Sequence, residues 1–437
     1  MLMFNAFKSK LLHLSTGPLK VRPAVHYSVA TPVSVARRSV GAVVLAVCVP
    51  LVTGADGVPA EIDASRYPTL QAALDALPEG GGLVRLPPGT FELSEPLVLR
   101  RGETRIEGSG ASTHLRNVNT NGKPALIIAP LGMPAKQNAR IWRVQLGNFR
   151  ISGNTNSGDG IYAERVEEIF IHGLSIDHNG GNGITLTNCY EDPRVSDSII
   201  TYNSGAGLNI IASHDIVVNA NHFEENQDAV RCIDSFNLCM NGNNIDDHLR
   251  HGVVIENTYG SVLSGNMIEE CNGTAIVLDR DCYGITISAN VIAHHLGGGV
   301  ELRDAWGCAV SGNTFTLVHS NSIFVGPDSG RITITGNNFC NSYIGGGKDK
   351  RPAEHKSPMG RDEATGVVLH GASDIVVSGN SFSGLSGNAV TAFGKCCRIL
   401  VCGNLMIDFG RKSQKRHAPV DLGDAIESVV KDNISGL

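Results

Sequence analysis

The chain has 437 residues, enough for one large domain or two or three ordinary ones. Its 51 glycines, with only 5% aromatic and 18% charged residues, suit many short strands and tight turns around small aliphatic cores. Six of the 36 basic residues and none of the 42 acidic ones precede residue 55, so the remainder carries a formal charge of −12, which excludes nucleic acid as the main partner.

The leader is read first. Lys8, Lys10, Lys20, Arg22, Arg37 and Arg38 are its basic residues, and Arg37-Arg38 directly precede the apolar run SVGAVVLAVCVPLVTG. That is the order of an export signal, and the paired arginines point to the twin-arginine route. The run has 16 residues, shorter than the roughly 20 that a membrane-spanning helix needs. The sequence therefore predicts an exported protein, periplasmic or extracellular, with no membrane association once 1–54 is removed. A retained N-terminal anchor is the alternative reading, and Val47 argues against lipidation of Cys48. Ten of the 11 cysteines follow the leader without CxxC spacing. They read as small core fillers, with one or two disulfides open to an exported protein.

In residues 62–117, Leu70, Ala73, Leu74 and Leu77 form one apolar stripe on a short helix. Thr69 is its N-cap, and Pro78 with Gly80-Gly81-Gly82 stops it. Strand-like segments follow (LVRL, FEL, PLVL, TRIEG). Residues 55–140 are thus predicted to be an N-terminal cap and first strands covering the open end of a repeat array. The pattern LQAALDA…GG.V.LPPGTF.L resembles the N-terminal segment of the pectate-lyase-like superfamily of β-helix proteins.

The array declares itself by an asparagine. Asn221, Asn243, Asn266, Asn290, Asn313, Asn337, Asn380 and Asn404 are spaced by 22, 23, 24, 23, 24, 43 and 24 residues, with Leu174 and Ser198 at the same place in two earlier copies. Periods in the twenties mark a solenoid, and alternation of period two within each unit means strands. The units lack a leucine skeleton and any helical stretch, so the fold class expected is all-β: a right-handed parallel β-helix. About eleven turns are counted between 141 and 410, with the asparagines stacked at about 4.8 Å. The 43-residue gap is one turn plus an insertion, 345–365, read either as a substrate-covering loop or as a solvated one. Residues 411–437 read as a C-terminal cap with a short helix.

Equal positions on successive turns become neighbours. The first outward row runs Tyr162, Thr185, Asn209, Arg231, Val254, Val277, Glu301, Phe324, Val368, Thr391. The second runs Glu164, Thr187, Ile211, Ile233, Glu256, Asp279, Arg303, Gly326, His370, Phe393. Charge concentrates at Arg231, Glu256, Asp279, Glu301 and Arg303, the candidate catalytic residues, with Arg280, Asp281 and Asp304 at the adjoining turn. Glu256 and Asp279 suit the acid and base of a glycosidase. Glu256, Asp279 and Glu301 suit Ca²⁺, a hard cation. A uronate lyase or epimerase needs a base and a cation for the sugar carboxylate, for which Arg231 or Arg303 would serve. Tyr283 and Trp306 lie close enough to stack on sugar rings. The plain structural alternative is an Arg/carboxylate ladder that keeps an exposed sheet soluble.

The segments RHGVVIEN, AIVLDRDCYGITISAN and GGVELRDA resemble consecutive turns of the periplasmic mannuronan C5-epimerases, which read R-H-G-I-I-x-S-R and then G-I-V-L-D-R-x-S. The resemblance places His251, Asp279 and Arg280 on family positions; His251 and Arg280, with Tyr283, Asp304 and Trp306, are the candidate substrate-binding residues. The family's catalytic Asp-Pro-His falls on Arg231-Cys232-Ile233, and its carboxylate-neutralising Arg falls on Asn257. The expected function is a polysaccharide lyase or hydrolase acting on a uronate-containing polysaccharide. The alternatives are a non-catalytic glycan- or partner-binding β-helix and a C5-epimerase-like enzyme without the usual catalytic motif.

Overall fold

The structure, a computed structural model, describes residues 60–131, 139–340, 364–410 and 418–436. Every described residue lies in one compact unit. Both the leader and most of the 345–365 insertion fall outside the described residues.

One turn of the chain shows the plan. Val230–Ile233, Cys239–Asn241 and Asn244–Asp246 are three short strands separated by corners, and the chain then repeats them as Val253–Glu256, Val262–Ser264 and Met267–Glu269. Each strand pairs in parallel with its counterpart one turn on: Val230 with Val253, Cys239 with Val262, Asn244 with Met267. Repetition builds three long parallel sheets of 17, 14 and 13 strands, called here sheets 1, 2 and 3; the three strands just named belong to sheets 3, 1 and 2 respectively. This is the expected right-handed parallel β-helix.

It has about 13 turns, more than the eleven counted from sequence. The extra turns come from segments read as caps. Leu97–Leu99, Thr104–Glu107 and Thr113–Asn117 already form a full turn. At the other end Val420–Asp421, Val429–Lys431 and Ile434–Ser435 form another, so the short helix expected after 411 is absent from the described residues. The first turns lack the marker asparagine, which is why the count missed them. The N-terminal helix does form, at Leu70–Asp75: Thr69 Oγ1 accepts the Ala72 N–H at 3.1 Å, and Leu70, Ala73 and Leu74 are buried in the common core.

Inside the solenoid, every second residue of a strand faces the core. In sheet 3 these are aliphatic pairs such as Val253 with Ile255 and Ile276 with Leu278, all fully buried. Phe315, Phe339 and Phe382 stack at 4.8 and 4.5 Å in sheet 2. Cys189, Cys232, Cys271, Cys282, Cys308 and Cys396 are buried fillers. All ten described cysteines are free thiols, so the disulfides held open for this chain do not form among them.

The corners carry the polar ladders. Asn290 is typical: its Oδ1 accepts both the backbone N–H and the Nδ2–H of Asn266 at 3.0 Å, and its own Nδ2 donates to Asn313 Oδ1 at 3.0 Å and Leu263 O at 3.1 Å. The ladder extends one rung beyond the periodic count, to Asn433. Two shorter ladders were not anticipated. Asn179, Asn203 and Asn226 stack at the corner between sheets 2 and 3. Ser213 and Ser235 hydroxyls take the N–H of the preceding turn at the corner between sheets 3 and 1. Each ladder satisfies corner amides that would otherwise be orphaned in a closed core.

Candidate functional site

The two outward rows read from the sequence alternation are the ones the strand register produces. Arg231, Val254, Val277, Glu301 and Phe324 are successive partners in sheet 3. Ile233, Glu256 and Asp279 are successive partners beside them. Arg303 directly follows the strand Val300–Leu302, and its N–H donates to Leu278 O at 2.9 Å. All five candidate catalytic residues therefore lie in one band across four turns.

What the band does with its charges is to pair them. Glu256 Oε1 accepts from Arg231 Nη2 at 3.3 Å, and Oε2 accepts from Arg280 Nε at 2.7 Å. Asp279 Oδ1 accepts the Arg280 backbone N–H at 2.9 Å, and Oδ2 accepts from Arg303 Nη1 at 3.2 Å. Arg303 Nη2 donates to Glu301 Oε2 at 2.9 Å, and Thr274 Oγ1 reaches the same oxygen at 3.4 Å. Both oxygens of Glu256 and of Asp279 are thus engaged within the protein. The hydrogen bond to Glu301 raises Arg303's pKa, and that to Glu256 raises Arg280's. Val277 faces outward yet is only 1% exposed, so neighbouring side chains must close over it.

A further carboxylate, which the alternation does not reveal, anchors one end. Asp228 is 1% exposed and accepts from Arg250 through both Nε, at 2.8 Å, and Nη2, and from the His251 N–H at 3.0 Å. Arg231 Nε lies 3.9 Å from it, buried and without a hydrogen bond. Asp228 sits in the corner before the strand, outside the rows that alternation can assign. His251, a candidate substrate-binding residue, is half-buried. Its Nδ1 accepts the Thr274 N–H at 3.0 Å, and burial lowers its pKa. The Ca²⁺ expectation meets the same pairing: Glu256, Asp279 and Glu301 each face an arginine and are not among the described carboxyl groups that converge within 4.8 Å of one another.

Across the next corner runs an aromatic column. Tyr190, His214, Phe236, Tyr259, Tyr283 and Trp306 occupy one position on six successive turns, the last five linked by backbone bridges. The spacing matches that of the asparagines, so the column was legible in the sequence. Its first four rings stack at 4.3, 4.7 and 5.1 Å. Asp304, at this corner, accepts the Asp281 N–H at 2.7 Å. Elsewhere, at the corner after sheet 2, Asp246, Asp247 and Glu270 bring carboxylate oxygens within 4.8 Å of one another. Burial, then Glu269, Asp247 and Glu224, push the Asp246 carboxyl up to about 6.

Fold and band define a right-handed parallel β-helix protein with a charged outer face. Comparison with known proteins narrows this only in part. The profile of a family described as periplasmic copper-binding protein (NosD) matches residues 194–351. A search of curated proteins finds no match. Similar solved structures include the A-module of the mannuronan C-5 epimerase AlgE6 from Azotobacter vinelandii, 14% identical over 86% of this chain and 99% of that one, with a TM-score of 0.52. The periplasmic alginate epimerase AlgG is 12% identical over 86% and 84%, TM-score 0.51. Tailspike protein 3 of bacteriophage CBA120 is 12% identical over 85% and 62%, TM-score 0.55. At these identities the likeness is one of fold.

Copper wants thiolate, thioether or imidazole ligands. In the matched segment Cys232 and Cys282 are sealed in the core with thiols pushed up to about 12 by burial. His248 and His295 are fully buried and two turns apart, and the one convergent group of three among the described residues is all carboxylate. No described thiol or imidazole joins a convergent group of three, so the described residues assemble no copper ligand set of that size. No described helix is long and apolar enough to cross a membrane.

Proposed function

We propose that this chain is an exported, carbohydrate-directed β-helix protein that binds a polysaccharide along the outer face of sheet 3, over the band from Arg231 to Asp304. The observation that carries this reading is the in-register band itself, on a long open sheet and beside exposed aromatic rings. Guanidinium–carboxylate pairs present fixed donors and acceptors of the kind that sugar hydroxyls require. Export rests on the twin-arginine leader, and the matched family profile is described as periplasmic.

Binding fits the pairing better than turnover does. Each oxygen of Glu256 and Asp279 accepts one hydrogen bond within the protein, which fixes it in place and leaves a second lone pair to accept from a sugar hydroxyl. A uronate lyase needs a cation free for the sugar carboxylate, whereas Arg231, Arg280 and Arg303 each face two protein carboxylates. The band and its corners hold Arg231, Arg250, Arg280 and Arg303 against Asp228, Asp234, Glu256, Asp279, Asp281, Glu301 and Asp304. That excess of acid repels a polyuronate and leaves a neutral, hydroxyl-rich chain as the favoured ligand. The enzymatic reading, a lyase or hydrolase, keeps one observation: the hydrogen bonds from Thr274 and Arg303 both fall on Glu301 Oε2, leaving Oε1 to face a substrate.

Calorimetric titration with neutral and uronate polysaccharides, alongside assays for new reducing ends and unsaturated products, tests the proposal. Binding of a neutral glycan that Asp279→Ala abolishes at unchanged melting temperature supports it. Release of products that Glu301→Gln abolishes would replace it with the enzymatic reading.

A further inference from the structure

The aromatic column is not uniform, and the change occurs where it passes the charged band. From Tyr190 to Tyr259 the rings lie face to face, with interplanar angles of 14°, 11° and 7°, and the Arg140 guanidinium covers the far end at 4.2 Å from the Tyr190 centroid. Their faces are used within the protein. The stack ends at Tyr259: Tyr283 is its backbone neighbour but not its stacking partner.

Tyr283 and Trp306 instead lie against glycine. A Cβ built on Gly307 would stand 3.3 Å from the Tyr283 ring, and one built on Gly330 would stand 2.7 Å from the Trp306 ring. Gly330 occupies the position where the column would place its next aromatic. With no side chain there, the Trp306 ring settles over the backbone. Tyr283 is 60% exposed, the largest value among the tyrosines of the column, and Trp306 is half-buried, with Arg331 5.9 Å from its centroid. The chain enters Tyr283 from Asp279-Arg280-Asp281 and Trp306 from Arg303-Asp304, so each ring directly follows the charged residues of its own turn.

We propose that Tyr283 and Trp306 form a two-ring platform for adjacent pyranose units of a neutral polysaccharide lying along the solenoid axis. Asp279, Arg303 and Asp304 would meet the equatorial hydroxyls of those units. The inference rests on the glycan-binding reading above and names the class of sugar and its direction. The C–H face of a pyranose is apolar and packs on an aromatic face, while its rim of hydroxyls requires hydrogen-bonding partners. Successive turns are about 4.8 Å apart, close to the length of one pyranose in an extended chain, so two rings on neighbouring turns present neighbouring units with neighbouring supports. Neutrality follows from the acid excess of the band.

The chain has two tryptophans, Trp142 and Trp306, so Trp142→Phe in the full chain leaves Trp306 as sole reporter. Its emission is followed while cellohexaose, mannohexaose or hexamannuronate is added, and affinities are measured by calorimetry. The expected result is a shift with a neutral hexaose, a loss of affinity of tenfold or more in Tyr283→Ala and in Trp306→Ala, and substantial retention in Trp306→Phe, at unchanged melting temperature. Neutral binding that neither alanine variant weakens overturns the platform and leaves the glycan-binding reading standing. A response to hexamannuronate alone overturns the neutral assignment. No binding of any of the three overturns platform and reading together.

Discussion

Removing one rung of the asparagine ladder tests whether corner hydrogen bonds, rather than strand pairing alone, hold the turns in register. In Asn290→Ala four side-chain hydrogen bonds vanish: two accepted from Asn266 and two donated, to Asn313 Oδ1 and Leu263 O. The Asn266 side chain keeps a bond to Met240 O at 3.3 Å, but its backbone N–H loses its acceptor in a site where Asn290 is 1% exposed. An orphaned buried donor costs about 1–3 kcal/mol and each ordinary bond about 1 kcal/mol net, which sets the expected loss at about 3–5 kcal/mol. Asn290→Ser should recover part of it. Ser198 occupies the same column and its Oγ accepts the Leu174 N–H at 3.2 Å. Guanidinium denaturation followed by circular dichroism, with the slope compared between variants, measures both losses. A cost below about 1 kcal/mol for alanine, or a serine variant less stable than the alanine one, would refute the reasoning.

Asp228→Ala leaves Arg250 and Arg231 without their buried carboxylate, and a loss of about 3–5 kcal/mol is expected in the same denaturation assay. Asp246 gives a pH test. Its folded value of about 6 lies above the ordinary 3.8, so the native state retains a proton that the unfolded chain releases, and stability falls as pH rises from about 4 to 6. The shift corresponds to about 3 kcal/mol, cut to about 1 kcal/mol by solvent screening at this partly exposed corner. Asp246→Asn should therefore stabilise the protein at pH 7.5 and leave it unchanged at pH 3.5; a lower melting temperature at pH 7.5 would contradict the assignment. Glu301→Gln separates binding from turnover: glycan affinity should change by less than about threefold, under 1 kcal/mol, with no product formed by wild type or variant.

Much of the architecture was legible because the solenoid repeats itself. The asparagine spacing gave the period, and alternation within a unit assigned Arg231, Glu256, Asp279 and Glu301 to one face, as the register bears out. The count passes over the end turns for two reasons: the turn of Leu97–Leu99 carries no marker asparagine and pairs through its backbone, while Asn433, the marker of the last turn, follows Asn404 by 29 residues instead of the usual 22 to 24. The site was legible as a location and not as a network. Alternation cannot assign corner residues, so Asp228 and Arg250 went unnoticed, and it says nothing about which acid meets which base. That pairing, in which each oxygen of Glu256 and of Asp279 accepts a hydrogen bond within the protein, is what the proposed binding role rests on. The aromatic column was equally periodic, but rings recur in cores and on surfaces alike, and only exposure separates Tyr283 from Phe223.

Hydroxyl-radical footprinting of the full chain with a bound neutral polysaccharide tests the central claim most directly, because oxidation reports side-chain exposure residue by residue. Tyr283 and Trp306 should be protected, while Trp142 and Tyr202, which are 40% and 42% exposed and lie outside the band, should react as in the free protein. Protection of Trp142 or Tyr202 with none at Tyr283 and Trp306, or protection of those two only by a polyuronate, would contradict the account.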